Sequence, residues 1–404
     1  MTVGAVVAAS GGLPSSAEVA VVGGGVIGAA CAHALAEAGI STLLLERGDI
    51  GGGASGACEG NVLVSDKSPG PELELARRSV ALFADLEERL EADIQREAKG
   101  SLLVAPSAEA AQLLAEEASW MEEEGLGVER LDPAVVLQEE PVLDPAIESG
   151  LFVADDLQVC PMRLVLAFAL AAQRLGARLV RNCDVEGIEV EAGRVVALAT
   201  NLGRVHCSSV VVAAGVGSRS VLKGAGEDLP LAGRRGQILV SAPSPNLIRH
   251  KVYDFGYRAT VRDQDAASIQ VATVLESTRR GNVLIGASRE FRETAAGADP
   301  AVDAELARHA LEFAPGLAGL KILRSYAGVR PTLPDGMPAI GPVESIRGLL
   351  VACGHEGAGI GLAPATAELI AAAITGADTP LATEPFLPER FSPGRSPGGE
   401  ELAQ

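Results

Sequence analysis

Residues Val19–Glu46 read VAVVGGGVIGAACAHALAEAGISTLLLE. A short β-branched run passes through glycines into an Ala-rich stretch of helical length, then leaves as a second apolar run ending in an acid. That is a βαβ unit with the spacing Gly23-x-Gly25-x-x-Gly28 in its turn. Gly23 allows the tight turn, Gly25 lets a pyrophosphate approach the backbone, and Gly28 lets the helix pack against the strand. Val26 and Ile27 then open the helix, where free N–H groups and the positive end of the helix dipole suit a phosphate. Glu46 stands 18 residues beyond Gly28, followed by Arg47. Its carboxylate is placed to accept hydrogen bonds from the hydroxyls of an adenosine ribose and to repel a 2′-phosphate. A bare GxGxxG is a weak signal; the complete unit predicts a dinucleotide site, with FAD and NAD both admitted.

The remaining composition bounds the chain from outside. Its 404 residues predict two or three domains with a substantial core. With 33 Lys and Arg against 53 Asp and Glu, the formal charge is −20, which argues against nucleic acid and anionic membrane surfaces as partners. The six cysteines form no CxxC pair, so no zinc or iron–sulfur site is expected, and a reducing, cytoplasmic compartment fits them best. The first 17 residues have no basic region and are expected to be a loose extension rather than a signal peptide. No apolar run reaches the 18 or so residues of a membrane span, so no transmembrane segment is expected.

Periodicity predicts amphipathic helices over 72–98, 109–124 and 161–175, with their Glu clusters as solvated faces. Short strands follow near Leu179, then over 184–190, 195–200 and 210–213. Residues 230–290 alternate strand-like runs with turns, including QILV (Gln237–Val240) and NVLIG (Asn282–Gly286), and predict a mostly antiparallel sheet. The tail from 381 is Pro-rich and reads as mobile.

Five segments occur in one order: the N-terminal unit, GGGASGACEGN (Gly51–Asn61), VVVAAGVGS (Val210–Ser218), AGVRPTLPDGMPAIGP (Ala327–Pro342) and GLLVACGHEGAGIGLAPATAELIAAAI (Gly348–Ile374). In this the chain resembles the FAD-dependent D-amino acid oxidase family, which includes glycine oxidase and the sarcosine oxidases. EGNVLVSDKSPGPELELA (Glu59–Ala76), TRRGNVLIGASRE (Thr278–Glu290) and GHEGAGIGL resemble more narrowly the catalytic subunits of heteromeric opine, D-hydroxyproline and proline dehydrogenases and of hydrogen cyanide synthase. The resemblance implies an α/β fold, α+β overall, in which a Rossmann-like FAD-binding domain of the glutathione reductase type is interleaved with a mostly antiparallel β-sheet substrate domain. Residues 18–98, 154–226 and 326–380 would form the first, and 99–153 and 227–325 the second. It also implies noncovalent FAD, because the cysteine that attaches flavin in monomeric sarcosine oxidases has no counterpart near Arg330–Thr332. A second flavoprotein and a small iron–sulfur protein would be the partners.

Residue by residue, the resemblance places Ser55 and Gly56 along the pyrophosphate and ribityl chain. Gly60 and Asn61 would approach the flavin ring, and the Val185 backbone the adenine. Ala214 and Gly215 close the strand behind the dinucleotide. Gly354, Gly357, Gly359, Ile360 and Gly361 belong to the flavin-side loop, with a helix starting near Ala363 whose dipole would face N1 and O2 of the ring. Arg330 matches the arginine that holds the substrate carboxylate. Glycine oxidase has a second arginine just after its GH pair; the matching position here is Gly357. Tyr253, Phe255 and Tyr257 alternate as on one face of a strand and could wall the cavity, Tyr257 near a substrate-contacting tyrosine of the family. Glu356 is expected to face solvent or a partner, and His355 to be a structural donor. The implied reaction is oxidation of a Cα–N bond by hydride transfer to flavin N5, giving an imine. Little protein acid–base chemistry is expected if the amine binds neutral.

Overall fold

A computed structural model of the chain describes residues 12–255, 269–291 and 297–392. Strand Val19–Val22 sits inside a six-stranded sheet, flanked by Ser209–Val212 and Thr42–Glu46, with Leu349–Cys353 and Arg178–Arg181 further out. These five strands are parallel, and Ala339–Pro342 adds an antiparallel edge. A parallel strand is covered on both faces, which explains a run with no polar alternation. Val19 and Val21 pack with the helix side, while Ala20 and Val22 pack with the other face. On the helix side, Val26–Glu37 lies against Pro161–Arg174 and Gly359–Thr375. The opposite face meets a three-stranded antiparallel meander of Val185–Glu191, Arg194–Thr200 and Gly203–His206, through Ile188, Val195, Leu198 and Val205.

The second sheet has eight strands in the order Ile322–Thr332, Ala232–Ser241, Val283–Phe291, Gln270–Ser277, Lys251–Asp254, Ser101–Ala105, Ser149–Val153, Val128–Leu131. Its pairs are antiparallel except for Lys251–Asp254 with Ser101–Ala105. Helix Pro300–Phe313 covers one face through Val302, Leu306, Ala310 and Phe313. The mixed α/β architecture is therefore the expected one.

Three expectations need correction. The strand Ile322–Thr332 pairs along its length with Ala232–Ser241, so Arg330 stands on the large sheet although 326–380 is expected in the dinucleotide domain. The long helix expected over 72–98 is two pieces, Pro71–Leu82 and Leu86–Arg89, and Glu91 and Gln95 take positive φ beyond them. The last helix begins at Gly359, four residues before Ala363. With its preceding turn, this helix is long and apolar enough to cross a membrane by length and composition, an apolar run the sequence reading passed over. It is instead packed against Val26–Glu37 and Pro71–Leu82, and Glu368 pairs with Arg78 there.

The turn that joins strand Val19–Val22 to its helix leaves no room for side chains. Gly23 has φ +112°, and a Cβ on Gly28 would run into the Gly23 carbonyl. Backbone cannot yield as a flexible side chain does. Gly28→Ala is therefore expected to lower unfolding free energy by about 3 kcal/mol, at the upper end of overpacking losses. The control Gly187→Ala, where a Cβ meets open space, should stay within about 0.5 kcal/mol. Urea unfolding midpoints of the two variants check the contrast.

Candidate active site

The C-terminal ends of the parallel strands open into a cavity of about 690 Å³, bounded on its other side by the large sheet. Ligand crevices of open α/β sheets lie at such strand ends, and the volume falls in the range of small-molecule and cofactor sites. Gly23, Gly25, Val26, Ile27, Glu46, Arg47, Ser55, Asn61, Val185, Ala214, Gly215, Gly357, Gly359, Ile360 and Arg330 line it. Distant segments of the sequence therefore meet at one space.

At the dinucleotide end, the Ser55 hydroxyl accepts from the Val26 N–H at 3.0 Å and pins the small-residue loop to the helix N-terminus. Glu46 is held at the tip of its strand by two backbone donors, Gly24 N–H at 2.6 Å and Gly48 N–H at 2.7 Å, one to each carboxylate oxygen. Each oxygen keeps a second lone pair for a ligand hydroxyl. Backbone at the Gly23 turn, a helix N-terminus bordering the cavity and an oriented carboxylate are the set that an adenine dinucleotide requires, so the residues present fit FAD.

Opposite stands Arg330, 16 % exposed, whose Nη1 donates to the Ser288 carbonyl at 3.2 Å. Its guanidinium lies over Gly236 on the neighbouring strand, where any Cβ would collide with it. Glu356 points inward, contrary to the expectation that it faces solvent or a partner: its side chain is 9 % exposed. Its Oε1 lies 3.7 Å from Arg234 Nη1, 3.7 Å from Arg289 Nε and 4.0 Å from Arg330 Nε. Burial opposes ionisation of Glu356, but Arg289, Arg330 and Arg234 outweigh it and hold the carboxyl below its ordinary range. Glu356 also keeps φ +45°, a left-handed conformation that ordinarily costs a non-glycine residue about 1 kcal/mol. A side chain at Gly357 would instead meet Arg330, whose Nε lies 3.6 Å from the Cβ position.

A second buried ionic group reaches the cavity at Glu59. Its Oε2 accepts from Asn61 Nδ2 at 3.1 Å and lies 3.8 Å from Lys251 Nζ, which is 3.1 Å from Glu276. Burial, followed by the Glu276 charge, raises the Glu59 carboxyl above its ordinary range, against the pull of Lys251. Glu59, Lys251, Glu276, Arg234 and Arg289 are site residues that the sequence reading did not single out. The one available signal was an acid wedged into the small-residue run GACEGN.

Other expected residues sit behind the wall rather than on it. Tyr253 is fully buried in the core and its hydroxyl meets Ser65 Oγ, so it does not line the cavity: its strand turns that face toward Leu103 and Val274. Tyr257 lies outside the described residues. Gly28, Gly60, Gly354 and Gly361 are packing positions; Gly60 presses on the Val159 carbonyl while its N–H donates to Glu276 at 3.2 Å. His355 lines the cavity and joins Thr366 Oγ1 through Nε2 at 3.0 Å.

A family model described as "DAO: FAD dependent oxidoreductase" matches residues 18–373. The chain is 30 % identical over 390 residues to glycine oxidase of Pseudomonas putida, covering 93 % of this chain and 99 % of the relative. It is 26 % identical over 428 residues to hydrogen cyanide synthase subunit HcnC of Pseudomonas aeruginosa, with 93 % and 96 % covered. Among solved structures, L-proline dehydrogenase of P. horikoshii superposes with a TM-score of 0.85 at 25 % identity, over 94 % of this chain and 98 % of that one.

Burial pushes the His355 imidazole down to about 3, so the folded chain holds it neutral. An unfolded chain takes up this proton below about 6.5, and stability is therefore lost as pH falls from there toward 3. Between pH 7 and pH 5 that linkage removes about 2 kcal/mol. His355→Gln should lack this component, visible as a smaller drop in the urea midpoint between the two pH values.

Proposed function

This chain belongs to the DAO family of FAD-dependent oxidoreductases and is an FAD-dependent amino acid oxidase or dehydrogenase, and from that premise we propose that it oxidises the Cα–N bond of an amino acid or secondary amine whose carboxylate Arg330 holds. The observation that carries this reading is the single cavity that joins the Gly23–Gly28 turn to the Arg330 guanidinium. In the proposed arrangement Val26, Ile27 and Ser55 receive the pyrophosphate, Glu46 the ribose and Val185 the adenine, with FAD held noncovalently. Bound FAD supplies the acceptor for the Cα hydride.

The chain's own residues position and polarise. Arg330 is a planar fork flattened on Gly236 and fixed by Ser288, which suits a bidentate pair with a carboxylate. Glu356 Oε1 lies within 4.0 Å of the facing guanidinium groups of Arg234, Arg289 and Arg330 and supplies a counter-charge among them. The helix from Gly359 presents its positive end to the cavity, favouring the negative charge that accompanies two-electron reduction. Catalysis then rests on holding Cα in line with its acceptor.

Glycine, sarcosine, proline, hydroxyproline and opines all offer a carboxylate and an oxidisable amine to this arrangement. We infer that electrons leave for a partner, a second flavoprotein with a small iron–sulfur subunit; the likeness to a relative described as a subunit supports this. The likeness to glycine oxidase favours a second reading, an oxidase that reduces oxygen itself.

Anaerobic mixing of the FAD-loaded protein with each amine separates these readings. Bleaching of the flavin by at least one is expected, and no bleaching by any would sink the proposal. Admitting oxygen afterwards should reoxidise the flavin slowly; rapid stoichiometric peroxide would instead favour the oxidase. Arg330→Lys removes a charge-assisted hydrogen bond of about 1.5–3 kcal/mol and should raise the substrate concentration for half-maximal bleaching about 10- to 100-fold. Gly236→Ala should act in the same direction by displacing the fork.

A further inference from the structure

Glu59 is a carboxylate with one occupied oxygen and one unoccupied. Asn61 donates to Oε2, and Lys251 faces that oxygen. Oε1 has no hydrogen-bond partner among the described residues, although Glu59 is 7 % exposed. A buried acceptor left open calls for an explanation. Glu59 lines the cavity, and its buried, unpaired oxygen lies against Gly286, whose missing Cβ makes the space. Two residues further along the same strand, Ser288 receives Arg330 Nη1.

That arrangement has a chemical counterpart. Arg330 and Glu59 present opposite charges to one cavity. An α-amino acid carries the complementary pair, a carboxylate and an ammonium on the same carbon.

We propose that Glu59 is the catalytic base of the amine oxidation: its Oε1 receives the substrate ammonium and takes one proton from it. The inference rests on the amine-oxidising function proposed above. In the step an N–H bond breaks and the O–H bond of a carboxylic acid forms. The nitrogen lone pair is left free to assist departure of the Cα hydrogen, whose two electrons go to the FAD of the parent reaction. The groups facing Glu59 are Lys251, Glu276, Asn61, the Tyr326 phenol and, at longer range, Arg330, with the Cys58 thiol adjacent in sequence. Lys251 and Glu276 are positioning residues. Lys251 steadies Oε2, and the Glu276 charge strengthens Glu59 as a proton acceptor. A carboxylate with ordinary acidity is a poor match for an ammonium proton, and one made more basic by its surroundings is a better one.

The test uses FAD-loaded protein and paired probes: glycine with glycolate, sarcosine with methoxyacetate, L- and D-proline with the enantiomers of tetrahydro-2-furoate. In each pair the second molecule replaces the amine by oxygen and binds without being oxidised. Wild type should show a flavin-reduction rate that rises with pH through one acidic limb. Glu59→Gln should lower the rate at pH 7 by about 100-fold or more, the usual scale for a lost general base. Its limb should move up to the pKa of the substrate's own ammonium. The oxygen analogue, titrated by its effect on the flavin absorbance, should keep its Kd within about twofold, because it never used the base.

Glu276→Gln removes a charge that raises Glu59 and should move the wild-type limb to lower pH. This variant decides the matter alone if Glu59→Gln fails to retain FAD. An unchanged rate and pH profile in Glu59→Gln overturns the inference while leaving the parent function standing. Equal weakening of the oxygen analogue also overturns it, since that marks a structural role. If no amine bleaches wild type, the parent reading fails and this one falls with it.

Discussion

The absence of a Cβ at Gly28 is the constraint on which the site depends. Because the helix backbone can press against the Gly23 carbonyl, the helix starts directly over the end of strand Val19–Val22. Its N-terminal residues Val26 and Ile27 therefore border the cavity. The same closeness brings Ala213, at the end of the neighbouring parallel strand, against Gly23. Two chain segments nearly 200 residues apart are thus locked at one corner of the dinucleotide site. Loop residue Ser55 and strand residue Glu46 then need only short backbone hydrogen bonds to reach it.

The opposite wall obeys a different rule. It is a sheet surface, and side chains reach the cavity from it only where a neighbouring position is small. Arg330 lies across Gly236, and the loop residue Glu59 settles against Gly286, so glycines of the sheet make the berths for both charged groups. The charges themselves are buried, which is tolerable only with partners close by. Glu356 among three arginines and Lys251 between two glutamates are both such arrangements.

This difference decides what could be read from the sequence. The βαβ unit is contiguous: strand, glycines, helix and terminal acid all lie within Val19–Glu46, so its fold and its carboxylate at Glu46 were visible in order. Arg330 and the glycines around His355 came through resemblance, because each is embedded in a distinctive local string. Lys251, Glu276, Arg234 and Arg289 carry no local signal, and Glu59 only that of an acid within a small-residue run. They become a site only because antiparallel register brings Arg234 opposite Arg330 and sets Lys251 in the strand beside Glu276. Such pairings depend on turns and bulges between strands, which one-dimensional periodicity does not encode. Tyr253 failed for the converse reason. Alternation fixes which residues share a face but not what covers each face, and here both are buried, Val252 in one core cluster and Tyr253, with Ser65, in another.

Glu356 shows how the two walls are joined. It precedes the helix that closes the dinucleotide site, yet its carboxylate reaches the arginines of the large sheet. An apolar residue there would leave Arg234, Arg289 and Arg330 facing one another without this counter-charge, and a freely exposed acid would not be held against them. Glu356 holds this place with a left-handed backbone, φ +45°. Through Glu356 the turn before the last helix is thus tied electrostatically to Arg330 on the opposite wall.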